Sequence, residues 1–160
     1  MAYMSRAKRR DEACGSLSDT VEKLREIADS LNGSLEEMEE AGDIKNKEDI
    51  IKKINDAQTL LNELGPGEFE DLKDEMESWA SNMEGTNLEY TSKYETVTEA
   101  VGALEDVISN LESVEAPEID TTNLTVESMT NFIDAIKEVA DDIENTIGDA
   151  ENIEFPGMYR

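Results

Sequence analysis

The stretch Cys14-Gly-Ser-Leu17-Ser-Asp-Thr-Val21-Glu-Lys-Leu24-Arg-Glu-Ile-Ala28-Asp-Ser-Leu31-Asn-Gly-Ser-Leu35-Glu-Glu-Met38 decides the fold. Its apolar residues Cys14, Leu17, Val21, Leu24, Ala28, Leu31, Leu35 and Met38 step alternately by three and four. At about 3.6 residues per turn that spacing brings all of them onto one seam of a helix, as in coiled coils. Gly33 interrupts the stripe at a cost of roughly 1 kcal/mol relative to alanine, which makes Asn32-Gly33-Ser34 the place for a break. Gly42 is the expected stop.

The same spacing recurs down the chain. A second helix is predicted after a cap at Asn46, with Glu48 and Asp49 in the first turn, where the helix dipole favours acids. Its stripe is Ile50, Ile54, Ala57, Leu61 and Leu64, widened by Ile51 and Leu60, and Gly65-Pro66-Gly67 ends it. A third, over about 68–84, carries Phe69, Leu72, Met76, Trp79 and Met83, so Phe69 and Trp79 are expected in the core. A fourth opens with the capping-box spacing Ser92-Lys-Tyr-Glu95 and runs through Tyr94, Val97, Val101, Leu104, Ile108 and Leu111 to Pro117. A fifth, capped by Thr125 or Asn123, aligns Met129, Phe132, Ile136, Ala140, Ile143 and Ile147. Short connections between five amphipathic helices predict an all-α antiparallel bundle or long helical hairpins. The 160 residues are expected to form a single acidic helical domain, with a basic flexible N-terminus over 1–12 and a tail over 154–160.

Charge is the second strong signal. The chain holds 40 Asp and Glu against 14 Lys and Arg, with no histidine. Residues 1–54 hold 13 acids and 10 bases, whereas residues 55–160 hold 27 acids and four bases, a net of −23. Such a field repels nucleic acid and anionic membrane and attracts basic protein surfaces. Duplex DNA carries about one charge per 1.7 Å, or about 23 along 40 Å. The fourth and fifth helices with their flanks hold 14 acids against Lys93 and Lys137. Their net charge density is around half that of DNA.

Other chemistry is thinly supported. Without histidine the commonest acid–base group and metal ligand is missing. There is no phosphate loop, nucleophile elbow or Cys-His pair. Asp120-Thr-Thr-Asn-Leu-Thr-Val-Glu-Ser lacks the glycine and final glutamate of a calcium loop, and a two-iron bundle needs a Glu-x-x-His motif. Catalytic, cofactor and metal residues are therefore all expected to be none. The lone Cys14 reads as a small core residue and cannot form an intramolecular disulfide. No run of about 18 apolar residues exists, and Asp11 and Glu12 stand where a signal peptide needs apolar residues. The expectation is a soluble cytoplasmic protein that is neither secreted nor membrane-spanning. Arg6-Ala-Lys-Arg-Arg10 could touch nucleic acid, but pairing with the chain's own acids is the better reading, because phosphate is repelled at a net −26.

Trp79-Ala-Ser-Asn-Met-Glu-Gly-Thr-Asn-Leu88, Thr91-Ser-Lys-Tyr-Glu95 and Glu154-Phe-Pro-Gly-Met-Tyr159 together resemble a family of small acidic helical proteins encoded by tailed bacteriophages. The resemblance covers about residues 68–115 and the tail. It implies a phage origin and a host-cell setting, and no mechanism, because the family has no settled activity. The function expected is a non-enzymatic acidic mimic of nucleic acid that blocks the basic cleft of a host protein, such as a defence nuclease or glycosylase. Glu105, Asp106, Asp141 and Asp142 are the acids expected at the contact, and Tyr90, Phe155 and Tyr159 the aromatic anchors. The expected partner is a basic host protein that itself binds nucleic acid; no direct contact with nucleic acid or membrane is expected. The alternative is a structural, scaffolding or virion-associated protein that forms a homo-oligomer through its heptad stripes.

Overall fold

The computed structural model describes residues 5–156, and every regular element among them is helical. In chain order these are α1 (Arg6–Ala41), α2 (Lys47–Asn62), α3 (Glu68–Met83), a 3-10 turn (Asn87–Tyr90), α4 (Ser92–Glu112) and α5 (Val126–Glu151). The residues gather into two compact units, and α1 and α5 each lend one stretch to either. Unit one takes residues up to Leu17, Gly65–Ser113, and residues from Asn145 onward; unit two takes Ser18–Leu64 and Val114–Glu144.

In unit one α3 and α4 pack against each other, joined through the 3-10 turn as an antiparallel hairpin. Phe69, Leu72, Met76, Ala80 and Met83 of α3 are buried together with Val97, Ala100, Leu104, Val107 and Leu111 of α4. Cys14 and Leu17 of α1 and Ile147, Ala150 and Ile153 of the C-terminal stretch complete this core. Burial also pushes the Cys14 thiol up to about 11, which leaves it inert as a nucleophile.

Unit two buries Val21, Leu24, Ala28, Leu31, Leu35 and Met38 of α1, Ile50, Ile54, Ala57 and Leu61 of α2, and Met129, Phe132, Ile133, Ile136, Ala140 and Ile143 of α5. The connection 114–125 is anchored where the Gln58 amide donates to the Pro117 carbonyl at 3.0 Å. Leu124 is buried beside the start of α5. That start is fixed by a reciprocal cap: Ser128 N donates to Thr125 Oγ1 and Thr125 N to Ser128 Oγ, both at 3.0 Å. Of the two caps expected, Thr125 is the one used.

All of the stripe residues expected in the first and fifth helices are buried. Elsewhere the structure differs in instructive ways. The expected break at Gly33 does not occur, because α1 runs unbroken from Arg6 to Ala41. Leu31 and Leu35 are buried on either side, and each is worth about 2 kcal/mol of burial against the roughly 1 kcal/mol that glycine costs. A Cβ at Gly33 would meet nothing within 4 Å. Gly33→Ala is accordingly expected to stabilise by about 0.5–1 kcal/mol, read as a higher midpoint in urea denaturation.

Residues 6–12, expected to be flexible, belong to α1. The first helix does stop where expected: Gly42 has φ 69° and donates its N–H to the Met38 carbonyl at 2.8 Å. Asn46 precedes α2 in a left-handed conformation and makes no side-chain cap, so the first-turn acids Glu48 and Asp49 complement that end alone. The fourth helix is capped one residue earlier than expected, by Thr91, whose Oγ1 accepts from Tyr94 N at 3.2 Å. Its buried face is also turned: Ala100 and Val107 lie inside, while Tyr94, Val101 and Ile108 are half-buried at its edge. Small Ala100 permits that turn, since alanine fits a close helix contact that a larger side chain would hold apart.

Candidate functional site

Packing the stripes inward leaves the acids outside. Unit two holds 22 acids and seven bases, a net of −15; unit one holds 18 acids and seven bases, a net of −11. Glu127, Asp134, Glu138 and Asp141 of α5 step by seven, four and three, and all are exposed. That spacing sets them on the helix face opposite Phe132, Ile136 and Ile143. The row spans about 21 Å, a length in which one DNA strand sets roughly six phosphates. On α4, Glu95, Glu99 and Asp106 form an exposed row, and Glu105 and Glu112 lie beside it.

Much of the positive charge is meanwhile engaged within the chain. Arg25 reaches from α1 to Asp141 at 2.9 Å and also to Glu144, all within unit two. Lys52 pairs with Asp56, Lys53 with Asp49 and Lys73 with Glu77, each along its own helix. Among the described residues no three His, Cys, Asp or Glu side chains gather closely enough to hold a metal ion. No helix among them is long and apolar enough to cross a membrane.

The acids expected at the contact are therefore divided. Glu105 and Asp106 are exposed in unit one, and Asp141 and Asp142 are exposed in unit two. Asp141 already holds Arg25. Tyr90 is 88% exposed at the end of the 3-10 turn, with Leu88 52% exposed beside it. The turn is braced rather than loose: Leu88 N donates to Thr86 Oγ1 at 3.1 Å, Gly85 N to Glu89 Oε2 at 2.9 Å, and Thr91 Oγ1 to the Leu88 carbonyl at 2.7 Å. Phe155 is half-buried, with the Arg10 guanidinium 5.7 Å from its ring centroid. Arg10 also donates to the Ile153 carbonyl, so Phe155 helps to hold the C-terminal stretch. Tyr159 lies outside the described residues.

Reading the seam of α3 as pure core missed a second feature. Trp79 is only half-buried, because it sits on the flank of α3 and not at the centre of its buried face. The Arg6 guanidinium lies 5.1 Å from its ring centroid and the Lys93 ammonium 5.2 Å. Arg6 Nε donates to Glu75 Oε1 at 3.2 Å. Arg9 grips Glu75 with both fork nitrogens, at 2.9 and 2.6 Å, and reaches Glu68 at 2.5 Å. Arg6 and Arg9 rise along α1 as their partners descend α3, so the two segments run antiparallel. Next to Trp79 opens a cleft of about 520 Å³ lined by Arg6, Asp74, Glu75, Ser78, Trp79 and Asn82. A signal for it was present in the sequence: Arg6 and Arg9 share a helix face at a spacing of three, as do Glu75 and Trp79 at four.

The Arg9 guanidinium, above all its paired hydrogen bonds, holds the Glu75 carboxyl below its ordinary value of 4.5. A carboxyl lowered on folding adds stability above that ordinary value and loses it as pH falls through the lowered one. Acidification towards the sequence pI of about 4.1 relieves self-repulsion, while below 4.5 the Arg9–Glu75 link is progressively lost. In a pH series of thermal melts, Glu75→Gln is expected to flatten this acid limb relative to the parent. Salt isolates the other term: the melting temperature is expected to rise from low to physiological ionic strength, because screening weakens the repulsion among the exposed acids. A steady fall would mean that specific ion pairs dominate.

Comparison with known proteins returns no match to any family model, curated protein or solved structure.

Proposed function

We propose that this chain is a non-enzymatic binding protein whose acidic helix faces occupy a basic, nucleic-acid-binding cleft on another protein, in competition with the nucleic acid. The observation that carries this reading is the fate of the heptad stripes. They are consumed internally, and the exposed large apolar residues among the described ones are Leu88, Tyr90 and Val126. What the surface offers is dense negative charge at regular helical intervals. Complementary charge gives fast encounter and discrimination against wrong partners, with affinity that falls as salt rises. The resemblance to tailed-phage proteins makes a protein of the bacterial host the expected target. The test is affinity capture from bacterial lysate at low and at high salt. Nucleic-acid-binding proteins are expected in the low-salt eluate and depleted in the high-salt one; capture confined to non-basic proteins would overturn the proposal.

Self-association through the heptads, the competing reading, needs apolar seams that face outward. With those seams buried, sedimentation is expected to report a 17.8 kDa particle at all accessible concentrations. A mass that doubles with concentration would favour the assembly reading.

A further inference from the structure

We infer that Tyr90 stands in for an unstacked nucleobase: its ring enters a base-stacking slot of the partner, and the carboxylates at its foot meet the basic rim that would otherwise hold phosphates. The inference rests on the reading of a basic, nucleic-acid-binding partner and deepens it. Of the three large apolar residues exposed among the described ones, Leu88 and Tyr90 share this single four-residue turn. Tyr90 makes no side-chain hydrogen bond or ring contact among the described residues, and at 88% exposure its ring is open to an incoming surface. Two of the bonds that brace the turn come from Thr86 and Thr91 and a third from Glu89, so the backbone is held without using the Tyr90 side chain. A stiff side chain on a fixed backbone loses little entropy when a partner buries it, which is what makes tyrosine an effective anchor.

The foot of the turn is acidic. Glu89 is held beside Gly85, and the neighbouring Glu84 accepts from the Tyr94 hydroxyl at 3.2 Å. Desolvation first, then the charges of Glu84 and Glu89, hold that hydroxyl above its ordinary value, which sets both carboxylates near it. The donors that reach these two acids are neutral, so both keep their charge. Neither pairs with a cation among the described residues, and Lys93 lies over the Trp79 ring. From this foot the exposed row Glu95, Glu99 and Asp106 continues along α4 for about 16 Å. All of these residues belong to unit one. A flat ring at the head of a line of negative charge is the pattern that a single-strand or flipped-base site reads. Such sites stack bases on apolar or aromatic walls while lysine and arginine follow the backbone. An aliphatic anchor would not reproduce it, because stacking needs a planar face.

The probe is the basic protein recovered in the low-salt capture, titrated calorimetrically with the full chain and its variants at low and at physiological salt. Tyr90→Ala and Tyr90→Leu are each expected to weaken binding roughly tenfold, the size of one stacked ring. Tyr90→Phe and Tyr90→Trp, which keep a planar face, are expected to stay within about threefold of the parent. The tenfold loss is expected to be equal at both salts, since stacking is not screened, whereas the penalty for reversing Glu105 and Asp106 shrinks. Melting profiles are expected to be unchanged, because the turn is held without the Tyr90 side chain. Parent-like binding by Tyr90→Ala or by Tyr90→Leu, or a Tyr90→Ala loss that fades with salt, overturns the base-slot contact and leaves the acidic-face proposal standing. A low-salt capture that holds no nucleic-acid-binding protein overturns both.

Discussion

Leu24→Asp is expected to abolish the fold of unit two. Leu24 is 0% exposed on the α1 seam, among the buried residues of that unit. The change removes a packed leucine, worth about 2–5 kcal/mol, and sets a carboxylate where no cation can answer it. A loss of about 4 kcal/mol or more is a large share of the roughly 5–15 kcal/mol that holds an ordinary domain. An added negative charge in a chain already at −26 acts in the same direction. Glu22→Lys is the control two positions away. Glu22 is exposed, so the reversal is expected to stay within about 0.5 kcal/mol of the parent, or to stabilise slightly by lowering repulsion. Thermal melts followed by far-ultraviolet circular dichroism separate the two. If both variants melt alike, the register of α1 is wrong.

The second large effect concerns partner binding. Changing Glu105, Asp106, Asp141 and Asp142 together to Lys moves the net charge from −26 to −18. It places positive charge where a basic cleft would meet its strongest attraction. At low salt the affinity for a captured basic partner is expected to fall by roughly 100-fold, mostly through the association rate, and the difference to shrink as salt rises. Asp141→Lys also removes one of the two carboxylates that hold Arg25, leaving Glu144, so the variant is first checked for an unchanged melting profile. Tyr90→Ala, Phe155→Ala and Tyr159→Ala are expected to cost less. The opposite ranking, with the acids dispensable and an aromatic essential, would make the acidic faces a solubilising coat and move the contact to the 3-10 turn or the C-terminal stretch.

The helices could be read from the chain because their signal is periodic and local. A stripe such as Leu17, Val21, Leu24, Ala28 has one solution that buries it, and the structure adopts that solution. The departures arise where a residue's fate depends on a distant segment. Ala100 and Val107 are buried on α4 in place of Val101 and Ile108 because of what α3 presents, and spacing along α4 does not contain that information. Trp79 lies on the flank of the buried face of α3, and spacing along α3 does not show that Arg6 of α1 and Lys93 of α4 meet its ring. The helical start at Arg6 was hidden for the same reason: its basic residues look like a solvated end until Glu68 and Glu75 come up beside them. Charge density was legible by counting. The division of Glu105 and Asp106 from Asp141 and Asp142 between two units was not, because it depends on where each helix crosses from one core to the other.

Competition with nucleic acid is best tested on the captured basic partner itself, loaded with a fluorescently labelled duplex and titrated with the unlabelled chain across a salt series. Displacement is expected to be complete at one chain per binding cleft at low salt. Its midpoint is expected to climb steeply with ionic strength, and the chain alone is expected to bind no duplex. A ternary complex holding duplex and chain together, or displacement indifferent to salt, would contradict the proposal that these acidic helices take the place of a nucleic acid.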